Sequence, residues 1–274
     1  MNRQKHPVSP LAVFFSLWNH RQLIWQMTKR DVIGRYRGSV MGLAWSFFNP
    51  VLMLAVYTFV FSVVFKARWT GGSDSKTEFA LVLFSGLMVF NLFSECVNRA
   101  PGLVVGNVNY VKKVVFPLEI LPVVALGSAG FHLLVSLFVW LIFYLIFFGV
   151  PPATILLLPP ILLVLALMTL GLSWFLASLG VYLRDVSQIV GVITSVLMFM
   201  SPVFYPISAL PERYRPFMQV SPLTLVVEQA RAVMMWGKNL DWSAWASYLI
   251  VSLAVAWLGF AWFQKTRKGF TDVL

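Results

Sequence analysis

Charge is what this chain is short of. Only 11 % of its 274 residues are Asp, Glu, Lys or Arg, against 59 % hydrophobic, and the mean hydropathy is +0.81. A soluble domain carries roughly 25 % charged residues, so this chain cannot face water on all sides. A single cysteine, Cys96, excludes an intrachain disulfide and leaves no thiolate cluster for a metal. The phosphate-cradling loop G-x-x-x-x-G-K-[ST] does not occur, so ATP is not held by that device. Of three histidines only His132 lies within an apolar run, and spacing offers it no evident carboxylate partner. Proton-coupled carriers and intramembrane enzymes need clusters of ionisable groups at depth. His132, with Glu95 and Glu119 near the ends of other runs, is thin material for either, and a histidine bonded quietly to a neighbouring helix is the plainer reading. No internal repeat or low-complexity tract appears, and the two halves share no motif that would mark an inverted duplication.

What is present is a set of apolar runs, and spans of ~20 residues are the unit to count. They predict an all-α membrane protein with six transmembrane helices at about 40–65, 79–97, 118–148, 155–181, 188–205 and 244–263. The third has 31 residues, roughly 46 Å of helix at 1.5 Å per residue against a hydrocarbon core of ~30 Å. It must tilt, kink or project, and Pro117 and Pro122 predict an elbow in its first turns. Asn49-Pro50 predicts a kink in the first span. Six spans put both termini on one side. Segments on that side (1–39, the connections before spans three and five, and 264–274) hold 14 of the 21 Lys and Arg, and those opposite hold 7. The cation-rich side is the cytoplasmic one. The net charge of +11 therefore reads as an orientation signal and a contact for anionic lipid, not as a nucleic-acid patch.

Before the first span, residues 11–18 are too short for a signal peptide, with no small-x-small site before His20 and Arg21. Leu11, Phe14, Phe15 and Trp18 recur at helical spacing, predicting an amphipathic helix over 10–27 lying in the interface. A collar of Lys29, Arg30, Arg35 and Arg37 follows. Gly34, Gly38 and Gly42 stand four apart across the junction. They either bare one helical face for another backbone or loosen the chain where it enters the bilayer.

The connections carry the remaining signals. Residues 66–78, with Gly71-Gly72-Ser73-Asp74, read as a polar turn, and 98–116 as a longer polar link. In 182–188, Asp185-x-x-Gln188 resembles a capping box beside Arg184, predicting a rigid cytoplasmic knuckle on which a motor subunit can push. Pro206, Pro211, Pro216 and Pro222 cut the external segment 206–243 into pieces. Ser221-Pro222 starts a helix there and Gly237 ends it. Leu223, Val226, Val227, Ala230, Val233 and Met234 form its apolar face, with Thr224, Glu228 and Arg231 opposite. Such a helix lies on the outer interface or dips in and returns; Pro222, Val226, Glu228 and Arg231 are the candidates for an external gate. Aromatics make up 16 %, most of them interface anchors or core. Sugar C–H faces also stack on rings, and Tyr57, Phe61, Phe199, Phe204 and Tyr205 are the candidates for a pathway lining.

The chain resembles the permease subunits of type-2 ABC exporters of polysaccharides and polyol phosphates. The likeness rests on Lys29-Arg30-Asp31-x-x-x-Arg35-Tyr36-Arg37-Gly38-Ser39-x-x-Gly42-x-x-Trp45 and Asn49-Pro50. It continues in Val111-Lys112-Lys113-x-x-Phe116-Pro117, Tyr182-x-Arg184-Asp185, Ser201-Pro202-Val203-x-Tyr205-Pro206 and Lys268-Gly269-Phe270-x-Asp272. The resemblance implies a homodimer joined to two copies of a separate ATPase subunit, which holds ATP and Mg while this chain holds no cofactor. It implies coupling through Lys112, Lys113, Phe116, Arg184 and Asp185, external gate helices, and an aromatic-lined channel. Within such a family, export of undecaprenyl-linked O-antigen across a bacterial inner membrane is the first expectation. Capsule and teichoic acid exporters share the motifs, and a lipid-linked sugar-transfer enzyme is the alternative from another class.

Overall fold

The computed structural model describes residues 9–60, 76–112 and 116–274, and every regular element among them is helical. In chain order these are α1 (Pro10–Asn19), α2 (Arg21–Tyr36), α3 (Trp45–Tyr57), α4 (Lys76–Arg99), α5 (Gly102–Val105), α6 (Val108–Lys112) and α7 (Leu121–Phe148). Then come α8 (Leu158–Tyr182), α9 (Val186–Met200), α10 (Arg215–Val220), α11 (Pro222–Met235), α12 (Trp242–Thr266) and α13 (Phe270–Val273). Five helical stretches are long and apolar enough to cross a membrane: Gly42–Val60, Thr77–Arg99, Leu118–Phe148, Ala153–Tyr182 and Trp242–Val273. The fifth predicted span is shorter than the other five. As α9 it has 15 residues, about 22 Å of helix against ~30 Å of hydrocarbon.

The bundle is built around α4. Phe79, Leu81, Leu83, Phe90 and Phe93 are all buried on it, in contact with α3, α7, α8, α9 and α11. A helix apolar on every side belongs in an interior. Trp140 of α7 is fully buried against it and donates its indole N–H to the Leu81 carbonyl at 3.2 Å, so its one polar atom is satisfied. On the far side α8 and α12 meet backbone to backbone, where a Cβ on Gly259 would land on the Gly171 carbonyl and one on Gly171 on the Val255 carbonyl. That is the close approach that small residues permit between membrane helices. The three glycines of the collar do something else. Space around Gly34, Gly38 and Gly42 is open, and Gly38 (φ +87°) and Gly42 (φ +53°) take left-handed turns that end α2 before α3 begins. Gly38 and Gly42 turn the chain between the two helices, while Gly34 stays inside α2 and leaves its face bare.

Four further expectations are corrected. The interfacial helix is two helices broken at His20, and the second runs on through the cationic collar to Tyr36. Asp185 sits in the αR region (φ −74°, ψ −12°) and its carboxylate makes no cap bond, because a capping side chain needs an extended backbone at that position. α11 does not present its Thr224/Arg231 side to water: both residues are buried, alongside the whole apolar face. Residues 264–274 are not a free tail. α12 continues to Thr266, and Phe270 is fully buried with Phe263 and Val181. The turn at 66–75, the end of the first span (61–65), Phe61 and Lys113 lie outside the described residues.

Candidate functional site

α3, α4 and α7 enclose a cavity of about 280 Å³. Polar groups line it from three directions: Asn49 and Tyr57 from α3, Asn91 and Glu95 from α4, His132 and Ser136 from α7. Pro50 removes a backbone donor inside α3 at the level of this cavity. Arg35 and Tyr36, the last turn of α2, reach its inner end.

That inner end is tied by a polar network. Glu95 accepts from Arg35 Nη2 on Oε1 at 2.5 Å and faces His132 Nδ1 on Oε2 at 3.1 Å. Tyr36 Oη lies 3.1 Å from His132 Nε2. Burial pushes the Tyr36 phenol above its ordinary value, against the pull of the Arg35 charge, and the hydroxyl shares a hydrogen bond with Nε2 whose donor is set by the imidazole tautomer. The Glu95 carboxylate can only accept, so Nδ1–H donates to it, and the Arg35 guanidinium 3.3 Å away is a neighbour of that nitrogen, not its partner. One turn on, Arg99 holds both oxygens of Asp31 at 2.8 and 2.9 Å with one nitrogen and approaches Glu95 at 3.6 Å with the other. Two arginines and two carboxylates thus lock α2 to α4 and α7. His132 does have a carboxylate partner, a helix-to-helix contact between positions 37 apart in sequence. Both oxygens of that carboxylate are engaged.

The predicted pathway residues do not gather in one place. Tyr57 lines the cavity, whereas Phe199, Phe204 and Tyr205 form a separate group where α9 ends. There the rings of Phe199 and Phe204 stack at 5.6 Å, and Tyr205 donates to the Phe199 carbonyl at 2.7 Å.

Of the predicted gate residues, Arg231 is a strut. Its fully buried guanidinium donates to the carbonyls of Val82, Pro202 and Val203, with Glu228 at 3.4 Å, and so joins α11 to α4 and to the chain leaving α9. Gly86 gives it room, for a Cβ there would strike the guanidinium. Pro222 opens α11 and Val226 is buried in its packing.

The predicted coupling residues are brought to one end of the bundle, with α13 between them. α13 touches both α6 and α8, Lys112 donates to the Leu274 carbonyl, and Tyr182 donates to the Thr266 carbonyl at 2.8 Å beside Phe270. Phe116 stacks on Tyr110 at 4.3 Å, and its carbonyl accepts from Arg267 at 2.6 Å. The same Arg267 pairs at 2.6 Å with buried Glu119, which also accepts from Ser16 of α1 at 2.8 Å. Arg184 and Asp185 are exposed, and among the described residues neither side chain has a hydrogen-bond or ion-pair partner. The C-terminal joint is not legible in the sequence because a short charged ending reads as a tail; Phe270 and Leu274, which pack in one cluster, are its apolar signal.

The described residues form a helical bundle with five membrane-length stretches, a polar cavity among them and an unpaired charged loop between α8 and α9. The family model described as "ABC-2 type transporter" matches residues 22–235, and the chain belongs to that family. It is similar to the O-antigen export system permease protein RfbA of Myxococcus xanthus, 26 % identical over 93 % of this chain and 96 % of the relative. It is likewise similar to the protein of the same name from Klebsiella pneumoniae, at 25 % over 90 % and 93 %. A more distant relative is the polysialic acid transport protein KpsM of Escherichia coli, at 22 % over 87 % and 91 %.

Proposed function

We propose that this chain is the conduit-forming subunit of an ATP-driven exporter that moves undecaprenyl-linked O-antigen polysaccharide across a bacterial inner membrane. The match to export permeases over nearly the full length of both chains carries this reading. ATP and Mg belong to a partner ATPase in it, and the partner engages Lys112, Lys113, Phe116, Arg184 and Asp185. The unpaired side chains of Arg184 and Asp185 and the α13 joint behind them support that assignment.

Two copies form the conduit. The support is the apolar surface of α3 (Phe48, Leu52, Val56) and of α9 (Ile189, Val192, Phe199), which is exposed among the described residues. In this arrangement α9 is a sixth, short span, both termini are cytoplasmic, α1 lies in the inner interface, and α10–α11 form the re-entrant external gate, hung on Arg231. The polar cavity beside α3 offers hydroxyl and amide partners to a hydrated glycan passing along that helix. A capsule polysaccharide or teichoic acid is the second reading of the cargo; the likeness to a polysialic acid transport protein favours the capsule form of it.

The test is expression with and without an ATP-binding cassette ATPase from the same cell. Affinity purification of this chain should bring that ATPase along, and deleting either should remove the glycan from the cell surface while lipid-linked glycan accumulates inside. Surface glycan that persists without this chain would end the proposal.

A further inference from the structure

The four cations of the collar part company in the structure. Arg35 faces inward to Glu95, whereas Lys29, Arg30 and Arg37 face outward and line an open groove of about 340 Å³ together with Gln26, Ile33 and Gly34. These positions fall at i, i+3, i+4, i+7, i+8 and i+11, one stripe of α2 opposite its buried Met27 and Val32. Among the described residues no carboxylate lines the groove; the nearest in sequence, Asp31, is held by both of its oxygens on Arg99. Arg30 is steadied by donating to the neutral Tyr110 hydroxyl at 3.0 Å, so its charge is not cancelled. The side chains of Lys29 and Arg37 have no partner among the described residues. Gly34 leaves the floor bare, since nothing lies within 4 Å of where its Cβ would be. Exposed Trp25 and Ile33 supply apolar surface beside the cations, and the first membrane-length stretch begins at Gly42, five residues beyond Arg37.

We infer that this groove binds the phosphate or diphosphate headgroup of a membrane-anchored lipid. Three uncompensated cations around a bare backbone make an anion site of more than one charge. Guanidinium groups fork onto phosphate oxygens and an ammonium adds a point charge. The apolar flank and the nearby span put the ligand's tails in the bilayer, and anionic headgroups are concentrated at the cytoplasmic surface. One such headgroup is that of an ordinary anionic phospholipid. The other is the diphosphate joining a polyprenol to its glycan, and that source rests on the export reading above.

The experiment uses the full chain in phosphatidylcholine nanodiscs, with lipid retention read by native mass spectrometry. The probes are phosphatidylglycerol and undecaprenyl diphosphate, with inorganic pyrophosphate as competitor. The wild type retains the diphosphate lipid, and pyrophosphate displaces it. Lys29→Gln/Arg37→Gln lowers retention by about tenfold or more, as the loss of two charges near a membrane surface requires. Arg21→Gln/Lys238→Gln, with the same loss of net charge elsewhere, retains lipid as the wild type does. Preference for the diphosphate lipid supports the cargo anchor as the ligand, and equal retention of phosphatidylglycerol supports a phospholipid site. Wild-type retention no better than for uncharged lipid, or a double variant that retains both probes fully, overturns the inference. A chain that exports no glycan yet loses lipid in the double variant removes the export reading and leaves the groove standing.

Discussion

Two membrane-length helices that follow one another in the chain have opposite surroundings. In Thr77–Arg99, 83 % of the most apolar window is buried inside the protomer, whereas in Gly42–Val60 the figure is 6 %. Both are apolar enough to cross a bilayer, so hydropathy does not tell them apart. What separates them is where polar groups are allowed. α4 carries Glu95 and Arg99 within its length because partners from α2 and α7 meet them there, and its Val82 carbonyl receives Arg231. α3 presents Phe48, Leu52 and Val56 outward and turns its polar Asn49 and Tyr57 to the cavity that it shares with α4. The second helix is the frame of the protomer, and the first is a surface awaiting lipid or a second copy.

The largest effect should come from removing a group that holds the frame. Arg231→Met leaves the carbonyls of Pro202 and Val203 without their donor in a buried place and cuts the tie between α11 and α4. Each orphaned polar group costs about 1–3 kcal/mol, so a loss of roughly 3 kcal/mol or more is expected. Thermal melting in detergent measures it, and an unchanged midpoint would show that the frame does not depend on this residue.

Glu95→Gln, at the opposite end of the same helix, comes next. The amide keeps the shape but loses the charge facing Arg35 and Arg99, with side chains only partly screened from water. A cost of about 1–2 kcal/mol follows from hydrogen bonds to charged groups, with faster proteolysis near residues 35–42 as the end of α2 detaches from α4. A variant as stable and as protease-resistant as the wild type would break the link between collar and frame.

The open helix is sharpened by cross-linking. Cys96 is buried and should stay silent to a membrane-permeant bismaleimide. Val56→Cys and Val192→Cys, on the uncovered faces of α3 and α9, should give covalent dimers with stability changed by less than about 1 kcal/mol. Ile250→Cys, more exposed than either but on α12, should not. Dimers through Ile250 in place of the other two would move the contact to α12 and leave α3 facing lipid.

These tests follow the line between what the residues reveal in one dimension and what only packing decides. The long spans are legible because an apolar run of sufficient length has few alternatives. The elbow at Pro117 and Pro122 is legible too, and appears as a 3-10 turn, Leu118–Ile120, leading into α7. Legibility fails where a contact joins distant positions. Glu95 and His132 meet only because α4 and α7 lie side by side, and Gly171 and Gly259 sit 88 residues apart with no spacing motif to announce them. It also fails where a pattern assumes a solvent. The Thr224/Arg231 side of α11 reads as wet, yet backbone carbonyls take the place of water for its arginine. At Asp185 the residue types of a capping box are present and the backbone angle is wrong for it.

The smallest structural effect and the most local functional one meet at that aspartate. Asp185 makes no cap bond and no ion pair among the described residues, and it is exposed, so Asp185→Ala should alter protomer stability by less than about 0.5 kcal/mol. A carboxylate that does nothing for its own chain is free to serve another. Behind it, Tyr182 donates to the Thr266 carbonyl and lies against buried Phe270, which ties the end of α8 to the end of α12. In the reconstituted complex, Asp185→Ala should leave ATP turnover near its wild-type rate while glycan moved per ATP falls several-fold. Arg184→Ala, losing the neighbouring opposite charge, should do the same. If turnover and export fall in equal proportion, the residue governs assembly with the ATPase and not transmission through the loop. If the melting midpoint falls as well, the carboxylate belongs to the frame after all, and the division drawn between buried and open parts of the molecule fails at the end that carries α13.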